Sequence, residues 1–173
     1  MNAYVLGLSG VEPGGSVGPT NEGPPPKVTY YTAETRKIIL RKTLNRVIDD
    51  FRKNGVRLAD VLVLFARTDP YLTELKELCD AGRIEASVVK FVPDGSEPET
   101  EVQWQTIQAY KGLEAKAVIL VGLESLQDKV SRRLYYVGAS RAQSVLQILL
   151  PNDAQTDVQL GTRTILSLLK DVR

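Results

Sequence analysis

Two short segments carry side chains whose types and spacing could do chemistry. The first is Thr106-Ile107-Gln108-Ala109-Tyr110-Lys111-Gly112-Leu113-Glu114, just before the apolar run Ala117–Val121. Gly112 lets the backbone turn sharply or approach a ligand closely. Lys111 and Glu114 offer opposite charges, one to a phosphate and the other to a sugar hydroxyl or a metal. A surface turn with a salt-bridged pair would use the same residues. The second segment is Arg132–Ala142, RRLYYVGASRA. On a helix, Leu134, Gly138 and Arg141 share one face. Glycine inside a helix costs about 1 kcal/mol relative to alanine, so close packing is the expected reason for Gly138. An arginine leaving such a seam can be held rigidly and aimed at an anion. It can equally cap the last carbonyls of the helix.

The elements that must position these groups follow from periodicity. Val28–Tyr31 reads as a short strand. Thr32 is the expected N-cap of the next helix, with Glu34 in its first turn. Leu40, Leu44, Val47, Ile48 and Phe51 then form an amphipathic stripe, which Asn54-Gly55 ends. Val61–Phe65 is apolar throughout, as a strand buried on both faces should be. Tyr71–Cys79 reads as a helix closed by Gly82, with Cys79 on its apolar side and expected to pack rather than react. Ser87–Phe91 reads as a strand, Pro93-Asp94-Gly95 as a turn, and Val102–Ile107 as a further strand. Ala117–Val121 is the strongest buried strand. Ser131–Ala142 reads as a helix, Val145–Leu150 as a strand ended by Pro151, and Thr162–Lys170 as a closing helix. Strands alternating with helices predict an α/β fold with a mostly parallel sheet covered on both faces.

Composition removes several function classes. The chain has 173 residues, the size of one ordinary domain. It contains no histidine, which excludes serine–histidine and cysteine–histidine catalysis and every histidine metal site. Its single cysteine excludes a disulfide framework and a thiolate zinc site, and no metal ligands are assigned. The formal net charge is +1, so any charge used for binding must be local. No apolar run reaches the length of a membrane span, and the N-terminus does not read as a signal peptide, so the expected setting is the cytoplasm, with no membrane partner. Six of the 13 glycines and five of the nine prolines fall within residues 1–27. Residues 1–27 are therefore expected to be a linker or loop, exposed over about 10–27 and equally readable there as a disordered tail or an ordered packing segment, and 28–173 the folded domain. No G-x-x-x-x-G-K-[ST] or strand-to-helix G-x-G-x-x-G is present. Gly14-Gly15-Ser16-Val17-Gly18 is followed by Pro19 and reads as a loop, so the domain lacks a phosphate-binding loop of its own.

Taken in order, the two segments resemble motifs of superfamily 1 DNA helicases of the UvrD/Rep type. Thr106–Leu120, TIQAYKGLEAKAVIL, is similar to the family's T-[IL]-H-x-x-K-G-L-E-x-x-x-V-[IV]-[IL]. Leu134–Ala142, LYYVGASRA, is similar to its final motif, L-x-Y-V-[AG]-x-[TS]-R-A. Leu62–Asp69, LVLFARTD, resembles a further, weaker motif. The resemblance covers about residues 28–150. In that family two RecA-like lobes clamp ATP with its Mg2+, and the first lobe holds the phosphate loop and magnesium-binding acids. The resemblance therefore implies a second lobe alone, of three-layer RecA-like fold, whose partners are the N-terminal lobe and single-stranded DNA. It implies Arg141 as the arginine finger and Glu114 near the nucleotide ribose, with Gly112 and Lys111 beside it. Lys111, Thr106 and Gln108 would belong to the loop that couples nucleotide to DNA, and Arg67 would contact the DNA backbone. The isolated chain is expected to show no ATPase activity, and robust turnover would overturn the reading of it as a second lobe alone.

Three departures accompany the resemblance. Gln108 stands where the family usually has histidine, and glutamine cannot titrate near neutrality. The family's Asn-Tyr-Arg element is absent and would lie just before Met1, so this chain would start downstream of it. Only 38 residues separate Arg67 from Thr106, where many relatives insert an accessory subdomain. A different class also fits, a non-enzymatic module that kept the lobe for protein or nucleic-acid docking. Within 34–54, Arg36, Lys37, Arg41, Lys42, Arg46, Arg52 and Lys53 oppose Glu34, Asp49 and Asp50. That face could track phosphates or be an ordinary solvated surface. Trp104 and Tyr110 could stack on bases or pack in the core.

Overall fold

The computed structural model describes residues 26–92 and 99–155. Residues 10–25 of the expected 10–27 linker, the Pro93-Asp94-Gly95 turn and the Thr162–Lys170 helix lie outside the described residues, while Lys27 already belongs to the first strand. The apolar run Val61–Phe65 forms strand β2, buried at all five positions. Around it lie β1 (Lys27–Tyr31), β3 (Val88–Lys90), β4 (Val102–Thr106), β5 (Ala115–Val121) and β6 (Ala142–Pro151). Helix α1 is Arg36–Lys53, α2 is Tyr71–Asp80 and α3 is Lys129–Ala139. The strand order is β1-β6-β5-β2-β4-β3, and every neighbouring pair is parallel.

The period of two along the strands sorts side chains onto the two faces. Val61, Val63, Phe65, Ile119 and Val121 face the α1 stripe of Leu40, Leu44, Val47 and Ile48, and Leu75 of α2. Leu62, Leu64, Val118 and Leu120 face Tyr135 and Ala139 of α3, together with Ile107 and Tyr110. The result is the three-layer RecA-like arrangement. Cys79 packs against the first of these cores, and burial pushes its thiol up. No helix among the described residues is long and apolar enough to cross a membrane.

Two boundaries differ from expectation. Helix α1 begins at Arg36, because Thr32 opens a separate turn: its carbonyl accepts the Arg36 N–H at 2.9 Å and its hydroxyl the Thr35 N–H at 3.3 Å. Glu34 lies in that turn. Helix α3 stops at Ala139 and β6 begins at Ala142, where it pairs with Ala115. The polar residues Gln143 and Ser144 are therefore strand rather than loop.

One connection ties the two edges of the sheet together. Thr106 ends β4 level with Phe65, at the carboxyl edge of the sheet, whereas Ala115 starts β5 at the amino edge. The eight residues 107–114 join the two edges, fewer than the dozen or more usual between parallel strands. Ile107 and Tyr110 pin this crossover to the sheet, at 1% and 4% exposure.

Candidate functional site

All strands of a parallel sheet point the same way, so its two ends present different chemistry. At the amino edge, Arg141 lies between the end of α3 and the start of β6. Its carbonyl accepts the Ala115 N–H at 3.0 Å, and its own N–H donates to Gly138 at 3.2 Å. The guanidinium is held by three acceptors. Nε donates to the Val137 carbonyl at 3.1 Å, Nη1 to the Leu113 carbonyl at 3.2 Å, and Nη2 to Ser140 Oγ at 2.9 Å. Ser140 in turn donates to the Val137 carbonyl at 2.9 Å. All three acceptors are neutral, and Arg141 forms no ion pair among the described residues. A fixed arginine without a carboxylate keeps its charge for an external anion.

The first motif meets the second here. Glu114 accepts from Gln143 Nε2 at 3.1 Å, and its carbonyl accepts the Tyr110 hydroxyl at 3.0 Å. The alternative of a Lys111–Glu114 salt bridge is not what forms. Lys111 is exposed in the same loop, and Gly112 adopts φ +88°, a left-handed conformation that leaves open space where a side chain would stand. Gly138 does serve close packing: a Cβ there would lie 2.7 Å from Leu120 Cδ1 and 3.1 Å from Ile107 Cδ1. Helix α3, which aims Arg141, thus rests directly on β5 and on the crossover.

The carboxyl edge carries the residues expected near nucleic acid. Thr106 Oγ1 accepts the Ala109 N–H at 3.3 Å and starts the crossover turn, and Gln108 is exposed just after it. Arg67, exposed beyond the end of β2, donates through Nη1 to both carboxylate oxygens of Glu124, at 3.1 and 3.0 Å. Tyr110 requires a correction. It is buried, with its ring edge-to-face against Phe91 at 4.9 Å, so it offers no open face for a base and instead anchors the crossover. Trp104 likewise packs against the core, edge-to-face with Phe65 at 6.1 Å.

The structure therefore brings Arg141, Glu114 and Gly112 together at one edge, with Lys111 in the same loop, and places Thr106 and Arg67 at the other. Sequence reasoning missed Gln143 and Glu124. The adjacent parallel strands β2 and β5 bring Arg67 and Glu124, each just past a strand end, side by side, a signal that needs the strand order. Nothing in the local pattern points to Gln143. Among the described residues, no group of three or more acids and cysteines is placed to hold a metal ion.

An all-parallel α/β lobe covered by helices on both faces, with an arginine between α3 and β6 that is free of ion pairs among the described residues, is RecA-like in architecture. Residues 104–149, the stretch that carries both motifs, match the family model of the UvrD-like helicase C-terminal domain. The fold is similar to the crystal structure of the C-terminal domain of a possible DNA helicase from Lactobacillus plantarum WCFS1, with a TM-score of 0.61 and 16% identity. That similarity covers 90% of this chain and 88% of the other. No curated protein matches the chain.

Proposed function

We propose that this chain is the second motor lobe of an ATP-driven DNA helicase or translocase, working in the cytoplasm with an N-terminal lobe and single-stranded DNA. The observation that carries the reading is the Arg141 guanidinium, fixed by three neutral acceptors with no acid to neutralise it. Three of its five N–H donors are engaged, which leaves two for an anionic oxygen. That donor set fits the terminal phosphate of a nucleoside triphosphate, and Glu114, held by Gln143, fits a ribose hydroxyl. ATP with Mg2+, when bound between lobes, supplies the free energy of hydrolysis. Arg141 then stabilises charge on the phosphate. Thr106, Gln108 and Arg67 hold the DNA strand, and the crossover with Lys111 links the two edges.

In the intact parent protein, Arg141→Ala is expected to lower ATP turnover by about a thousandfold or more while ATP affinity stays within a few fold. Arg141→Lys should recover little, because the ammonium lacks the planar fork. The bond from Nε to Val137 favours one other reading, an arginine that only caps α3 in a docking module derived from such a lobe. Turnover unchanged by Arg141→Ala would select it.

A further inference from the structure

A groove of about 540 Å³ lies between the outer face of α1 and the loop after α2. Asn45 builds its wall: Nδ2 donates to the Arg83 carbonyl at 3.0 Å, and Oδ1 accepts the Glu85 N–H at 3.2 Å. Helix α1 contributes Arg41, Lys42, Arg46 and Lys53 to the lining, and the loop contributes Arg83. None of these five cations forms an ion pair among the described residues. Arg46 is held by a neutral group, Gln147 Oε1, at 2.7 Å. The other cations of α1 are paired, Arg36 with Glu74, Lys37 with Glu77 and Arg52 with Glu85 at the groove's rim. Asp49, Asp50 and Glu85 oppose the five, an excess of two positive charges, and Arg52 stands 3.7 Å from Glu85.

The groove has no apolar lining side chain. A protein partner would find no hydrophobic anchor in it, whereas a phosphate backbone asks only for cations. From Arg41 to Lys53 the helix rises about 18 Å, the length of about five nucleotides at ~3.4 Å along a strand. We propose that this groove binds the phosphodiester backbone of a nucleic-acid strand, as a contact surface separate from both strand edges. The proposal stands independently of the roles given to Arg67 and Thr106.

The test is fluorescence anisotropy of this chain with labelled oligothymidylate and oligouridylate of about 20 nucleotides, titrated between about 50 and 200 mM salt. Combined Arg41→Ala, Lys42→Ala and Lys53→Ala should lower the log–log salt slope by about 2, at ~0.7 per single-strand phosphate. Asp49→Asn with Asp50→Asn should tighten binding, a gain that misfolding does not produce. A slope lost with either strand supports the assignment, and the strand that shows it identifies the sugar. If Arg67→Ala with Thr106→Val binds like the parent while the groove variants lose slope, the carboxyl-edge reading fails and the groove stands. If only the Arg67 and Thr106 variant loses slope, the groove assignment is overturned. Absence of oligonucleotide binding at the low-salt end overturns it too. So does a polyglutamate peptide that the groove variants release while oligonucleotide binding is unchanged.

Discussion

Substituting Gly122 by alanine isolates how the carboxyl edge is built. Gly122 follows β5 at φ +82°, and a Cβ there would lie 2.6 Å from the Arg67 carbonyl oxygen and 3.0 Å from its nitrogen. Both are backbone atoms, so no side chain can swing away. Gly55 provides the control: it has φ +64°, but a Cβ there would meet nothing within 4 Å. Alanine in a left-handed conformation costs about 1–2 kcal/mol, and that cost alone is expected for Gly55→Ala. Gly122→Ala adds an overpacking cost of about 1–3 kcal/mol. For a chain of this size 1 kcal/mol moves the melting temperature by about 2–4 °C. Gly122→Ala should therefore melt about 2–12 °C below Gly55→Ala in a thermal scan followed by circular dichroism. Equal melting temperatures would refute the close approach as the reason for glycine at 122.

Two further predictions concern titrating groups. Burial alone would raise the Asp60 carboxyl, but Lys116 and Arg57, each 2.9 Å away, outweigh it and hold the group below its ordinary value. A carboxyl depressed by folding adds stability above its unfolded pKa of about 4 and loses it as pH falls through the folded value. Asp60→Asn should thus cost about 1 kcal/mol at neutral pH, read as a lower melting temperature, and the gap should close below about pH 4; a gap independent of pH would count against it. Cys79 should react slowly with a thiol reagent at neutral pH, since burial pushes its thiol up, and quickly once urea unfolds the chain. Equal rates in both conditions would mean that the thiol is not packed.

What was legible in the sequence is what apolar periodicity controls. The stripe Leu40, Leu44, Val47, Ile48 and Phe51 is buried throughout, and β2 has the bounds of its apolar run. Gly138 announced a close approach because glycine is costly inside a helix. The start of α1 was missed for a local reason, the Thr32 turn; most other misses depend on a partner elsewhere in the chain. Gln143 and Ser144 are strand because β6 pairs with β5, not because they are apolar. Tyr110 is buried because Phe91 meets it across the fold. The acceptors that fix Arg141 include two main-chain carbonyls, and no side-chain pattern records those.

On the proposed function, the short crossover would link a nucleotide at one end of the sheet to a strand at the other. A helix of ordinary length between β4 and β5 would leave slack between Thr106 and Glu114. Eight residues leave little, and the Tyr110 hydroxyl ties the middle of the crossover to the Glu114 carbonyl at 3.0 Å. Leu113, the neighbour of Glu114, accepts from Arg141 at 3.2 Å. On that reading an anion would meet the two unengaged donors of the guanidinium, whose Nη1 bond to Leu113 joins it to a crossover held by the packed Ile107 and Tyr110. The other end of the crossover is Thr106, whose hydroxyl caps its first turn. Close-packed interiors transmit shifts instead of absorbing them. The path of packed and hydrogen-bonded groups runs beside Gln108, which is exposed and not among them.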